Sequence, residues 1–194
     1  MTRSPRPIIL ASQSPRRKML LEWAEIPFEV IVQPTDETFP ASLSMVEVPV
    51  HIARNKAKVI GEQLDANDQR WILAADTIVV LNEEVIGKPV DRNDAIDILK
   101  KLSGQTHRVI TGVVLMNGEE EHAFSDITEV VFHALTEEQI RFYVDKYQPY
   151  DKAGAYAIQE WIGVVGIHAI KGDFYNVMGL PVSRVVQLLE RIQK

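Results

Sequence analysis

The segment from Leu10 to Leu20, LASQSPRRKML, places hydroxyl groups and positive charge directly after the short apolar run PIIL. Ser12 and Ser14 supply the hydroxyls, and Arg16 and Arg17 supply guanidinium groups at a predicted strand-to-helix junction. The free N–H groups of a first helical turn attract anions, and a guanidinium binds phosphate oxygens in a fork. A helix cap followed by a solvated basic turn explains the same residues. The pattern therefore predicts either a phosphate cradle or an ordinary helix start.

Carboxylates are the second group of candidates. Asp76 interrupts the apolar run LAADTIVV. A buried acid costs free energy unless it is paired, bound to a metal or at an exposed strand end, which favours a functional interpretation of Asp76. Asp36 and Glu37 lie in a predicted loop, where they are equally well explained as solvated surface acids. Carboxylate oxygens of this kind would suit Mg²⁺ or Mn²⁺.

Two lysines and a glutamine complete the set. Lys56 lies on a predicted helix, and Lys88 stands between Gly87 and Pro89 in IGKP. Either lysine is also explained as a surface charge, the usual location of this residue type. Gln159, in the segment YAIQEW, could bind a base edge with one donor and one acceptor. From the residues alone, a surface amide is the simpler interpretation.

Several common sites are not indicated. The chain has no P-loop, dinucleotide-binding or nucleophile-elbow motif. Zinc is not expected, because the five histidines show no ligand spacing and there is no cysteine. His107, at the start of a predicted strand, is interpreted as a structural histidine rather than a base. The net charge of −6 argues against general nucleic-acid binding but leaves room for a local basic pocket.

The expected location is the cytoplasm, with no membrane contact. The lack of cysteine is compatible with a reducing compartment. No apolar run reaches the roughly 18 residues that a membrane span requires. The apolar patch after Arg3 and Arg6 is too short for a signal peptide.

The elements that must position these residues follow from hydrophobic periodicity and cap signals. We predict strands over 8–11, 28–33, 71–81, 106–116 and about 127–135, with a short strand before IGKP. We predict helices over 15–25, up to about 61, from the cap Asp91 to Gly104, over 137–147 and over 181–193. Residues 149–180 are predicted as loop and strand.

Three local signals support these boundaries. Ser14 with Pro15 is typical of a helix start, Thr136 and Gln139 form a capping-box pattern, and Asn117 with the following glycine is typical of a hairpin. Early alternation of strands and helices followed by a hairpin indicates an α/β or α+β protein with a mixed sheet. The 194 residues are expected to form one domain with two lobes around a cleft.

Eight of these pieces occur in one order: LASQSPRR, DE, ARNKA, AADTIV, GKP, LSGQTHRVITGV, DKAGAYAIQ and GDFYNVMGLP. This order resembles the Maf family of nucleoside triphosphate pyrophosphatases from about residue 8 to residue 185. The resemblance implies a two-lobed Maf-like fold, in which helices flank a twisted mixed sheet with a central cleft, and usually a homodimer. It also implies metal-dependent hydrolysis of a nucleoside triphosphate to the monophosphate and pyrophosphate.

The resemblance also implies roles for individual residues. Asp76 matches the family's proposed general base, and Glu37 matches an acid near the metal and phosphates. Asp76 acts either as that base or as a metal ligand. The phosphate-contacting positions of the family correspond to Ser12, Arg17, Lys56 and Lys88.

Three further positions, Arg16, Thr77 and Gln159, resemble those of the family branch that prefers dTTP and UTP. The resemblance implies that these residues select the nucleobase. The usual glycine after the glutamine is here Glu160, followed by Trp161. These two side chains would either narrow the nucleobase pocket through their bulk and negative charge or point away from it. The alternatives are a pyrophosphatase for another modified nucleotide and a non-catalytic nucleotide-binding regulator of cell division.

Overall fold

The computed structural model describes residues 7–65 and 67–193. Within them the strands are β1 (Ile8–Leu10), β2 (Phe28–Val30), β3 (Ile72–Leu81), β4 (Glu84–Ile86), β5 (Thr106–Asn117), β6 (Glu120–Phe132) and β7 (Ile167–Lys171). The helices are α1 (Pro15–Trp23), α2 (Val48–Gly61), α3 (Arg92–Leu102), α4 (Glu137–Tyr147), α5 (Trp161–Gly166), α6 (Phe174–Met178) and α7 (Val182–Ile192), with a short 3₁₀ turn over Ala153–Ala155.

The strands form one sheet in the order β2-β1-β3-β5-β6-β7, with β4 paired to β3. β1 is parallel to both neighbours, whereas the β3–β4 and β6–β7 pairs are antiparallel. The parallel pairs require crossover connections, which α1 and α2 provide. The fold class predicted from the sequence, a mixed α/β fold with helices flanking a mixed sheet, is confirmed.

The chain groups into two compact units. The first contains the described residues up to Asp76, residues 111–126 and those from Gly179 onward. The second contains residues 77–110 and 127–178. Arg3 and Arg6, noted in the sequence, lie outside the described residues.

The core of the first unit forms where α2 packs on the sheet. Ala53 and Ala57 on the helix are fully buried, as is Ala74 on β3, and these small side chains allow the helix to lie close to the strands. Gly112 on β5 makes this approach possible, because a Cβ there would lie 2.2 Å from the backbone nitrogen of Val50. The start of α2 is therefore fixed against the sheet.

Most local signals are confirmed. Thr136 and Gln139 form the reciprocal capping box of α4. The Asp91 side chain accepts a hydrogen bond from the Asp94 N–H at the start of α3. β5 and β6 are neighbours joined by a two-residue turn at Gly118, as the hairpin signal predicted.

One prediction about elements is wrong. Residues 149–180 contain β7 but also the helices α5 and α6, which the sequence did not indicate because these segments are short and, in α5, rich in glycine and valine. The helix start predicted at Ser14 and Pro15 is confirmed, since Ser14 is the N-cap of α1, although its side chain makes no capping hydrogen bond. In addition, α1 and β2 end at Trp23 and Val30, earlier than predicted. None of the described helices is long and apolar enough to span a bilayer.

Candidate functional site

Ser12 and Arg17 form a buried pair at the junction of β1 and α1. The side chain of Arg17 donates from Nη1 to Ser12 Oγ over 3.1 Å and from Nε to the carbonyl oxygen of Gly179 over 2.7 Å. Ser12 Oγ also accepts the N–H of Ser14 over 3.2 Å, so Ser12, rather than the Ser14 hydroxyl, contacts the helix start. Ser12 accepts both of these bonds, so its own hydroxyl proton can point to a bound anion.

The buried charge of Arg17 is influenced by nearby carboxylates. Burial lowers the pKa of this guanidinium, and the charge of Asp76 opposes that effect. Arg16 lowers the pKa further, whereas Glu37 raises it. An arginine remains protonated despite such shifts, so a fixed positive charge lies within electrostatic range of both acids.

Lys56 joins these two acids directly. Its Nζ lies 2.8 Å from Asp76 Oδ1 and 2.7 Å from Glu37 Oε1. The side chains of Lys56 and Asp76 are 17% and 15% exposed, whereas that of Glu37 is 51% exposed. The acid in the apolar run is thus paired, and the cluster is open on the Glu37 side.

The register of the sheet explains why these residues meet. Leu10 of β1 pairs with Leu73 of the parallel strand β3. Ser12 lies two residues beyond that pair, after the end of β1, and Asp76 lies three residues beyond it, within β3. Because β3 continues past the end of β1, Asp76 lies level with the loop that contains Ser12.

Asp36 and Glu37 behave differently although they are adjacent. The Asp36 carboxylate accepts hydrogen bonds from the N–H and the hydroxyl of Thr38, each over 2.8 Å. These bonds lower the pKa of Asp36, and the residue is exposed. Asp36 therefore shapes the loop, while Glu37 contacts Lys56.

Two of the predicted specificity residues adjoin this cluster in the sequence. Arg16 precedes Arg17 and is half-buried. Thr77 follows Asp76 on β3 and is also half-buried. Because side chains alternate along a strand, Thr77 and Asp76 lie on opposite faces of the sheet.

The remaining predicted residues, Lys88 and Gln159, are both exposed and lie in the second unit. Lys88 makes no ion pair with the described part of the chain. The carbonyl of Gly87 beside it accepts the N–H of Gly154 over 3.0 Å, which ties the lysine's loop to the segment that leads to Gln159. Gly154 has φ +72°, and a Cβ there would lie 3.0 Å from Val79 Cγ2.

Asp76 and Glu37 are the candidate metal ligands predicted from the sequence. Among the described residues no group of three or more histidine, aspartate or glutamate side chains could hold a metal by itself. Asp76 and Glu37 supply hard oxygen donors that converge on one ammonium group. Mg²⁺ is commonly held by one or two carboxylates plus substrate phosphates, so this pair fits a metal that arrives with a phosphate ligand.

Sequence reasoning missed three groups that hold candidate residues or their neighbours in place: the Gly179 carbonyl and the side chains of Tyr143 and Lys152. The Gly179 carbonyl accepts a hydrogen bond from Arg17, which lies 162 positions earlier in the sequence. The only local signal at Gly179 is the glycine and proline of MGLP, which indicate a turn but not this contact. Tyr143 and Lys152 bind Glu160, beside Gln159. No local pattern indicates that contact, because the tyrosine lies on a different helix.

A family model described as "Maf-like protein" matches residues 7–192. A dTTP/UTP pyrophosphatase of Cytophaga hutchinsonii is 50% identical over 95% of this chain and 84% of its own length. Those of Bacteroides thetaiotaomicron and Parabacteroides distasonis are 45% and 47% identical, over 95% and 94% of this chain and 95% and 94% of their own lengths.

A solved structure, that of the Staphylococcus aureus Ham1 protein, has a similar fold. The TM-score is 0.51 and the sequence identity 16%, over 97% of this chain and all of that one. At this identity the likeness concerns the fold alone.

Proposed function

Because this chain belongs to the Maf family, we propose that it is a hydrolase that converts nucleoside triphosphates, dTTP and UTP foremost, to the monophosphate and pyrophosphate. The names of the curated relatives support this substrate class. The observation on this chain that carries the proposal is the bridge from Lys56 to Asp76 and Glu37, within electrostatic range of Arg17.

Phosphoryl transfer depends on positioning and on stabilising charge, and the first unit offers groups for both. Ser12 and Arg17 are the proposed phosphate contacts, because both are held rigidly and supply a hydroxyl proton and a fixed positive charge. A triphosphate would compete with Asp76 and Glu37 for Lys56, freeing a carboxylate as the ammonium group moves towards the phosphates. Lys88 is the further phosphate contact that the family resemblance implies.

The proposed reaction is attack of water on the α-phosphorus. The oxygen of water forms the new bond, the bond from the α-phosphorus to the bridging oxygen breaks, and pyrophosphate leaves with that oxygen. Asp76 orients the water and accepts its proton. Lys56 and Arg17 stabilise the negative charge that grows on the phosphate oxygens.

A divalent cation, Mg²⁺ or Mn²⁺, is part of this proposal. When bound with substrate it would neutralise phosphate charge and make the phosphorus more electrophilic. Glu37 is the residue that would hold it together with the substrate phosphates, and Asp76 is its alternative ligand if another group takes the proton from water. Removal of metal by a chelator should abolish turnover, and added Mg²⁺ or Mn²⁺ should restore it.

Base selection is assigned to Arg16, Thr77 and Gln159. The amide of Gln159 has one acceptor and one donor, which complement the N3–H and O4 of uracil and thymine. Cytosine presents the opposite pattern at these two positions. Exposure of Gln159 leaves its amide accessible to a ligand.

The wider setting is also proposed rather than observed. We propose a single two-lobed domain that acts as a cytoplasmic homodimer and binds neither nucleic acid nor membranes. Light scattering on the purified protein would test the homodimer, with a mass near twice the 21.9 kDa of the chain as the expected result.

A triphosphate panel tests the function directly. Canonical, inosine and methylated nucleoside triphosphates are each incubated with the protein and Mg²⁺ or Mn²⁺, and pyrophosphate is measured. The largest kcat/KM is expected for dTTP and UTP. A larger value for a modified nucleotide would reassign the substrate. Nucleotide binding without pyrophosphate release would favour the regulatory alternative.

A further inference from the structure

In the turn over residues 156–160, the exposed Gln159 follows three buried residues. Tyr156, Ala157 and Ile158 are 6%, 5% and 4% exposed, whereas Gln159 is exposed. The N–H of Glu160 donates to the Ala157 carbonyl over 3.1 Å and closes the turn. The exposed amide therefore follows three buried residues and precedes the partly buried Glu160.

A single hydroxyl fastens this turn at two points. Tyr143, fully buried on α4, accepts the N–H of Ala157 at its hydroxyl oxygen over 3.1 Å. The same hydroxyl donates its proton to the carboxylate of Glu160. Ala157 and Glu160, which flank the segment 158–159, are thus both hydrogen-bonded to the Tyr143 hydroxyl on α4.

Two further contacts hold the same turn. The Lys152 Nζ lies 3.7 Å from Glu160 Oε1 and 2.7 Å from Asp151 Oδ1, and the Lys152 side chain is only 11% exposed. Gly163 packs so closely that a Cβ would lie 1.7 Å from the Ile158 carbonyl oxygen. The Glu160 carboxylate is therefore turned towards α4 and Lys152.

We infer that Tyr143 and Glu160 are positioning residues that fix Gln159 for base selection. This inference rests on the proposed function, in which the Gln159 amide distinguishes uracil and thymine from cytosine. An amide discriminates between opposite donor and acceptor patterns only when it is held in place, because a mobile amide adapts to either. Glu160 supplies the second half of this attachment through its side chain.

The test compares the kcat/KM ratio of UTP over CTP in the wild type and in Tyr143→Phe. The variant loses the acceptor of the Ala157 N–H and the donor to Glu160, and the ratio should fall about ten-fold. Tyr147→Phe is the matched control, because its ring stacks on Tyr143 while its hydroxyl bonds to none of the described residues. That control should keep the wild-type ratio.

A double-mutant cycle separates positioning from general damage. In a Gln159→Ala background, Tyr143→Phe should leave the ratio unchanged, since the group that it positions is gone. If Tyr143→Phe does not fold, Glu160→Ala carries the same test. Glu160→Gln should then restore most of the ratio, because its amide oxygen still accepts the tyrosine hydrogen bond.

Amide hydrogen exchange gives a readout that does not need activity. Exchange at Ala157 and Glu160 should accelerate in Tyr143→Phe and stay unchanged in Tyr147→Phe. Faster exchange with an unchanged UTP over CTP ratio would overturn the positioning role and leave the hydrolase proposal intact. Absence of pyrophosphate release by the wild type from every triphosphate would instead overturn the proposed function.

Discussion

The charged cluster around Lys56 and the fastened turn around Gln159 use polar groups in opposite ways. In the first, two acids share one ammonium group and one of them is half exposed, so a ligand can rearrange the pairs. In the second, Tyr143 is fully buried and its hydroxyl is committed to the turn. The difference separates groups suited to react from groups suited to hold.

The largest effect should come from the reactive cluster. Asp76→Asn removes the proposed base and one charge facing Lys56, and kcat should fall about 10²–10⁴-fold. Pyrophosphate release gives the rate, and circular dichroism checks the fold. Asp36→Asn is the matched control, because that carboxylate contacts only its own loop in the hydrogen bonds to Thr38. Near-normal activity of Asp76→Asn would remove the base assignment.

Arg17→Ala should have the next largest effect. Loss of a buried charge that is proposed to contact phosphate should lower kcat/KM about 10²–10³-fold for every triphosphate alike. Initial rates across several bases measure this uniformity. A variant that unfolds instead would support the alternative that Arg17 is chiefly a structural cap, through its bonds to Ser12 and Gly179.

The free energy of unfolding should depend on pH through the buried His107 of the second unit. His107 is buried beside Tyr156, with Nε2 2.7 Å from the tyrosine hydroxyl, and burial lowers its pKa to about 4. In the unfolded chain histidine has a pKa of about 6.5. Above that pH His107 is neutral in both states, so the free energy of unfolding keeps its full value. It should fall by about 3 kcal/mol as the pH decreases from 6.5 to 4.

Denaturant unfolding at several pH values checks this effect in the wild type and in His107→Gln, whose amide can still form a hydrogen bond with the tyrosine hydroxyl. The variant should show a shallower decrease between pH 6.5 and 4. Equal pH dependence in both proteins would mean that His107 does not titrate in that range.

The smallest effect distinguishes adjacent arginines. Arg16→Ala should change the kcat/KM ranking of dTTP, UTP and CTP by about ten-fold, because it removes one base-selecting contact. Arg17→Ala should leave that ranking unchanged. Measurement of all three substrates for both variants tests the division, and a uniform loss in Arg16→Ala would place it with the phosphate contacts.

Local signals in the sequence predicted the framework well. The capping box of α4 and the hairpin between β5 and β6 depend on residues within a few positions of each other, so their types suffice. The helix α5 was missed because WIGVVG has poor intrinsic helix propensity and forms where Gly163 packs against the Ile158 carbonyl.

The candidate site was predictable to the extent that its residue types are unusual. Asp76 was identifiable because an acid in an apolar strand needs a partner, but the sequence did not show that Lys56 is that partner. The same limit applies to Tyr143 and Glu160, which meet only when α4 packs beside the turn. Contacts between elements depend on tertiary packing, which local patterns do not contain.

Hydrolysis of UTP in ¹⁸O-labelled water tests the central claim most directly. Attack on the α-phosphorus places one labelled oxygen in UMP and none in pyrophosphate, and mass spectrometry of both products distinguishes the two. We predict label in UMP alone, with the rate lost in Asp76→Asn. Label in pyrophosphate, release of inorganic phosphate as the first product, or no hydrolysis would contradict the account.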